Sequence, residues 1–126
     1  MQRLIHYVNQ KKFKTILEIG CGNGWLSNHL AKTKAEVYAL DMNEVELIQG
    51  ARVYKGIENL NFLYADILNN PFQEKVFDLI VLASSIQYFP DVGRLIQSLQ
   101  PLLTKHGEIH IFDSPIYQNK KSKLQT

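Results

Sequence analysis

Residues 15–30, TILEIGCGNGWLSNHL, carry an apolar run into a turn with glycine at every second position and then straight into a helical pattern. Ile16, Leu17 and Ile19 suit a strand buried on both faces, as in a parallel sheet. Gly20, Gly22 and Gly24 reach backbone angles closed to other residues and put no side chain between a ligand and the main chain. A strand, a glycine turn and a helix in immediate succession point to a βαβ architecture with the turn as a candidate cradle. The helix begins near Gly24 or Trp25 and adds free N–H groups and a positive dipole end, which favour a polar or anionic ligand. Cys21 lies inside the turn and is the only cysteine, which excludes an internal disulfide and a cysteine cluster for zinc. It reads as a small residue fitted to a crowded turn, and no metal site is expected.

The alternation continues through the 126 residues. Leu4, Ile5 and Val8 predict a short amphipathic helix over residues 2–11, with His6 and Tyr7 partly buried in it. After the turn, Trp25, Leu26, Leu30 and Ala31 form the apolar side of the next helix, while Ser27, Asn28 and His29 face out. Further strands are predicted at residues 36–41 (EVYALD), 60–65 (LNFLYA), 77–83 (FDLIVLA) and 108–112 (EIHIF). Asn43 and Glu46 make a capping-box-like pair ahead of Val45, Leu47 and Ile48. Pro90 suits an early helix position. Val92, Leu95, Ile96, Leu99, Leu102 and Leu103 then keep helical period toward Gly107, which can end that helix, and Pro101 kinks it or lies just past its regular part. Five strands alternating with helices predict a doubly wound α/β sheet with right-handed crossovers, Rossmann-like and mainly parallel. One domain over residues 1–117 is expected, with a polar basic tail at 118–126, disordered for want of any apolar period.

In such a sheet the ligand lies across the C-terminal ends of the strands. Asp41 closes the second strand 21 residues past Gly20, where nucleotide-binding βαβ units hold a ribose diol. With Asn43 as the helix cap, Asp41 is left without a structural duty. Asp66 closes the third strand in the same way. Together with Ile67 it can offer a carboxylate to an exocyclic amine and an apolar side chain to a base. Ala83 and Ser84 stand at the end of the fourth strand. The third glycine comes one residue early for G-x-G-x-x-G, and Trp25 occupies the place of that fingerprint's last glycine, where an indole would obstruct close helix–strand approach. The phosphate loop G-x-x-x-x-G-K-[ST] is absent. Nicotinamide and nucleoside triphosphate ligands are therefore disfavoured.

Composition narrows the partners. Hydrophobic residues at 45% and charged residues at 21% fit an ordinary globular domain. No apolar run approaches the roughly 18 residues of a membrane span, and the first residues lack the apolar core of a signal peptide, so a cytoplasmic protein without a membrane partner is expected. Lys11, Lys12 and Lys14, and Lys120, Lys121 and Lys123, read as solvated ends; without interleaved aromatics they do not suggest a nucleic-acid surface.

EIGCGNG, residues 18–24, resembles the first motif of the class I S-adenosylmethionine-dependent methyltransferases, E/D-x-G-x-G-x-G. ALDMN, ADILNNPF and FDLIVLASSIQYFPD resemble the segments that follow it, in order and over nearly the whole chain. The resemblance implies S-adenosyl-L-methionine as cofactor and methyl transfer to an acceptor. It implies that Gly20, Cys21, Gly22 and Gly24 lie against the methionine part of the cofactor, with Glu18 supporting the turn. It further implies that Asp41 binds the ribose, Met42 packs on adenine, Asp66 accepts from the adenine amino group beside Ile67, and Ala83 or Ser84 borders the sulfonium. A plain core role is the other reading of Met42. Because such transfer is an in-line displacement, placement is its main catalytic lever. The catalytic residues are unknown; Gln87 and Tyr88 are the nearest candidates for shaping the acceptor side. The family's D/N-P-P-Y/F pattern is absent, which favours a small-molecule acceptor over nucleic acid.

The family's usual sheet has seven strands, and this sequence supplies five, expected in the order 3-2-1-4-5 without the last two. The fifth strand, with Ile109 and Ile111, would then be an open edge that invites a homodimer, or would mark a longer protein that has lost its C-terminal portion. The functional alternative is a non-catalytic nucleotide-fold module or partner subunit that binds a ligand without turnover.

Overall fold

The computed structural model describes residues 2–69, 72–83 and 89–112; Ser84, Gln87, Tyr88, the domain limit at 117 and the tail at 118–126 lie outside the described residues. Helix α1 (Gln2–Lys11) leads to β1 (Thr15–Ile19), and the glycine turn joins β1 to α2 (Trp25–Ala31). There follow β2 (Glu36–Asp41), α3 (Glu44–Val53), β3 (Leu60–Tyr64), β4 (Phe77–Ala83), α4 (Val92–Leu99) and β5 (Leu103–Phe112). Neighbouring strands all pair in parallel, in the order β3-β2-β1-β4-β5. The chain thus builds outward from β1 to β3 and returns to lay β4 on the other side of β1. That reversal creates a crevice at the C-terminal ends of β1 and β4.

Side chains alternate across each strand and feed two separate cores. On one face Ile16, Val37, Ala39, Leu79 and Val81 pack with Leu4 and Val8 of α1 and with Leu26, Leu30 and Ala31 of α2. On the other, Leu17, Ile19, Leu40, Ile80 and Leu82 pack with Leu95 and Leu99 of α4. Strands buried on both sides read as mostly apolar runs, which is why β1 and β4 are plain in the sequence. At the N-terminal ends of the strands, Asp78 accepts from the backbone N–H groups of Lys14 (2.8 Å) and Thr15 (3.1 Å) and from the Thr104 hydroxyl (2.8 Å). One carboxylate there fixes β1, β4 and β5 together.

The helix expected to reach toward Gly107 ends at Leu99 instead. Residues Gln100–Leu102 form a 3₁₀ turn and Leu103 already starts β5. Pro101 explains the early stop, since it has no N–H for the helix ladder and its ring collides with the preceding turn. Leu103 pairs with Phe77, and pairing resumes only at Glu108 opposite Leu79. Gly107 lies in this excursion, where a Cβ would stand 3.0 Å from the Phe77 carbonyl oxygen. Pro90 precedes the helix rather than opening it: Asp91 is the N-cap of α4, accepting from the Arg94 N–H at 3.0 Å.

Helix α1 is fastened to β5 by polar contacts as well as by its apolar side. The Tyr7 hydroxyl donates to both Glu108 oxygens at 2.7 and 2.9 Å, His110 Nε2 lies 2.9 Å from Oε1 and Lys11 Nζ 3.5 Å from Oε2. Desolvation opposes the charged form of Glu108, but the hydrogen bonds from Tyr7 and His110 and the charges of His110 and Lys11 outweigh it and hold the carboxyl below its ordinary value. A depressed carboxyl stabilises the fold above its unfolded-state value, and that contribution is lost as pH falls through the folded-state value. Tyr7→Phe should cost about 0.5–1.5 kcal/mol of unfolding free energy in urea at neutral pH, with a smaller difference in acid; equal stability at neutral pH would show that the clamp contributes nothing.

Candidate functional site

The glycine turn closes against β2. The N–H groups of Gly20 and Cys21 both donate to the Leu40 carbonyl, at 2.8 and 3.0 Å, and Gly24 N–H returns to the Cys21 carbonyl at 3.0 Å. Gly20, Gly22 and Gly24 all have positive φ, at 76, 58 and 87°. At Gly24, the N-cap of α2, a Cβ would also lie 2.5 Å from the ring of Phe62 on β3. Gly50 of α3 completes the packing: a Cβ there would collide with the Asn23 carbonyl oxygen and approach Phe62 to 2.9 Å. No spacing pattern marks Gly50, because it sits inside a regular helix.

Asp41 has the structural duty that sequence reasoning denied it. Its Oδ2 accepts from the Gly22 N–H at 2.6 Å and its Oδ1 from the Asn43 N–H at 2.8 Å. One carboxylate thereby ties the glycine turn to the start of α3. Asn43 caps α3 as expected, accepting from the Glu46 N–H at 3.2 Å. The return arm of the capping box is taken by Asp41, since the Asn43 N–H goes to that residue and not to Glu46.

Glu18 lies behind the turn, 3% exposed, and accepts from the Ser27 hydroxyl. Ser27 had been expected to face out, yet it is fully buried, because it is the polar partner that a buried carboxyl requires. Desolvation pushes the Glu18 carboxyl up; the Ser27 hydrogen bond lowers it in part and the Asp41 charge raises it further, leaving it at about 8. Cys21 is 7% exposed and its thiol is also raised, by burial and then by the charges of Glu18 and Asp41, so it is no reactive thiolate. Trp25 does not join the apolar side of α2 or crowd the turn. It is 51% exposed, with its ring edge-on to His29 at 4.9 Å.

Gly20, Gly22, Asp41, Met42, Asp66, Ile67 and Ala83 converge on one cleft of about 1010 Å³ at the C-terminal ends of β1, β2 and β4. This is the top of the range for cofactor pockets, about 300–1,000 Å³. Glu18, Cys21 and Gly24 support the turn from behind and are not part of the cleft wall. Met42 is 60% exposed, which rules out the plain core role. Asp66 accepts from the Leu68 N–H at 3.0 Å and holds the short 3₁₀ turn at Ile67–Asn69. Sequence reasoning missed Glu44, Val45 and Glu46 of α3 and Phe89 before α4, which also line the cleft. The four carboxyl groups of Asp41, Glu44, Glu46 and Asp66 face it, and no lysine, arginine or histidine does among the described residues. An anionic ligand, suggested by the helix N-terminus alone, is poorly matched by such a wall. Among the described residues no group of three or more potential ligands could hold a metal, and no helix is long and apolar enough to cross a membrane.

A doubly wound sheet with a glycine-lined, acid-walled cleft at its switch point places the chain in the class of α/β nucleotide-fold proteins, whose ligands lie at the strand ends. Residues 10–125 match the family described as "Methyltransferase domain", and the chain belongs to that family. It is 34% identical over 129 aligned positions to the ubiquinone biosynthesis O-methyltransferase of Coxiella burnetii, covering 97% of this chain and 53% of that one. It is 32% identical to the protein of the same name from Acinetobacter baumannii, covering 88% and 47%. The chain thus spans about half the length of these curated relatives. The plantazolicin methyltransferase BpumL, solved with SAH, superposes with a TM-score of 0.73 at 25% identity over 85% of this chain and 42% of that one. PH0226 from Pyrococcus horikoshii OT3 shares the fold, with a TM-score of 0.80 at 23% identity over 98% and 56%.

Glu18 binds a proton in the folded chain that it releases in the unfolded one between its ordinary value of 4.5 and about 8. Its contribution to stability therefore falls as pH rises through that window. Relative to Glu18→Gln, the wild type should lose unfolding free energy steadily from about pH 5 to pH 8 in urea titrations; a constant difference would show that Glu18 is ionised throughout.

Proposed function

We propose that this chain forms the methyl-donor-binding half of an S-adenosylmethionine-dependent methyltransferase acting on a small-molecule acceptor. The observation that carries the reading is the charge of the cleft. A wall of four carboxyl groups and no basic side chain among the described residues suits a cationic sulfonium and repels phosphate. The residues also fit the group in shape. Gly20 and Gly22 present bare main chain, and the exposed thioether of Met42 and the side chain of Ile67 offer apolar surface to a planar base.

When bound, S-adenosylmethionine supplies an electrophilic methyl group on a positively charged sulfur. The chain's own task is placement. The turn, with Cys21 and Gly24 completing it, receives the methionine part, and Glu18 holds the turn through Ser27 on α2. Asp41 accepts from the ribose while its other contacts keep the turn in place. Asp66 accepts from the adenine amino group, and Ala83 borders the reacting end. The name of the Coxiella burnetii relative supports a small-molecule acceptor. Within this reading the protein is cytoplasmic and makes no nucleic-acid contact, and β5, the last strand of the described sheet, offers an edge for a second copy. Light scattering that finds a monomer at every concentration would remove the homodimer.

Calorimetric titration with S-adenosylhomocysteine tests the cofactor assignment. The wild type should bind at sub-millimolar concentration, and Asp41→Ala should weaken binding by about 1–3 kcal/mol. Absence of wild-type binding would overturn the reading, and binding without turnover on any acceptor would favour the non-catalytic module.

A further inference from the structure

Two of the four cleft carboxylates, those of Glu44 and Glu46, accept no hydrogen bond and make no ion pair among the described residues, and of these Glu46 is the one beside Gly22 of the turn. Asp41 uses both oxygens on main-chain N–H groups, and Asp66 accepts from Leu68 and, at 3.4 Å, from the Asn69 side chain. Glu46 differs. Its N–H is capped by Asn43, but its carboxylate accepts no hydrogen bond and makes no ion pair among the described residues. It lies over the glycine turn, with Oε2 3.3 Å from where a Cβ on Gly22 would stand, and it forms part of the cleft wall. A half-buried carboxylate on the cleft wall beside the glycine turn, without the backbone N–H its capping position would normally serve, is placed for a ligand.

The position also says which ligand group. Gly22 is where two carboxylates meet: Asp41 holds its N–H and Glu46 covers its Cα side. Two acceptors converging on one short stretch of bare main chain match a pair of adjacent hydroxyls, each of which must donate one hydrogen bond. We infer that Glu46 is a direct ligand of the ribose diol of the methyl donor, sharing that diol with Asp41. The inference rests on the donor reading proposed above. It assigns the two acids different work. Asp41 links turn to helix and completes the grip, whereas Glu46 serves the ligand alone.

The test compares S-adenosylhomocysteine with 5′-methylthioadenosine, which keeps the ribose and lacks the amino acid. Calorimetry on the wild type, Glu46→Gln and Glu46→Leu should show that Glu46→Leu weakens both ligands by a similar factor, on the order of 10-fold. Glu46→Gln, which retains an acceptor oxygen, should recover part of that loss. Urea unfolding should be nearly unchanged in both variants, since the carboxylate makes no hydrogen bond or ion pair among the described residues. Unchanged affinity for both ligands would overturn the inference. So would a loss confined to S-adenosylhomocysteine, which would move Glu46 to the ammonium group. A wild type that binds neither ligand would instead overturn the donor reading itself, and this inference with it.

Discussion

The Asp41 carboxylate is the joint on which the rest of the site depends. It receives Gly22 of the turn on one oxygen and Asn43 of the helix cap on the other. The turn cannot move relative to α3 without breaking a charge-assisted hydrogen bond of 2.6 Å. Around this joint the close contacts of Gly24 and Gly50 with Phe62 draw β3 and α3 against the turn. These contacts set the shape of the cleft wall between the turn and α3.

Much of this was legible beforehand. β1 and β4 announce themselves because burial on both faces keeps them mostly apolar, with Glu18 and Asp78 admitted only alongside hydrogen-bond partners, and the glycines at 20, 22 and 24 because their backbone angles exclude other residues. Strand order followed from the alternation of elements and the family resemblance. Three things were hidden for physical reasons. Ser27 reads as a surface residue until a buried carboxyl is placed beside it, and sequence cannot say which polar residues meet across a helix–strand contact. The end of α4 was obscured because Leu102 and Leu103 continue the helical period by coincidence, while each is used by a 3₁₀ turn and a strand. Asp41 looked unemployed because its partners are backbone N–H groups, which every residue but proline carries.

The electrostatics of the cleft correct an argument from local structure. A glycine turn opening a helix attracts anions through its free N–H groups. Here one of those groups is already neutralised by Asp41, and Glu46 stands over the same turn. The side chains have reversed the preference that the backbone alone would have. Specificity for a cation can therefore be built on the architecture otherwise used for phosphate, by carboxylates contributed from β2, α3 and the segment after β3.

The sheet divides the interior into two hydrophobic layers that share no side chain. The layer under α1 and α2 backs the glycine turn through Cys21, and Phe89 of the cleft wall packs on the layer under α4. Repacking one layer leaves the other's contacts intact. A lineage built on this chain could reshape the α4 side, and with it the chemistry at that end of the cleft, generation after generation while inheriting the opposite layer unaltered.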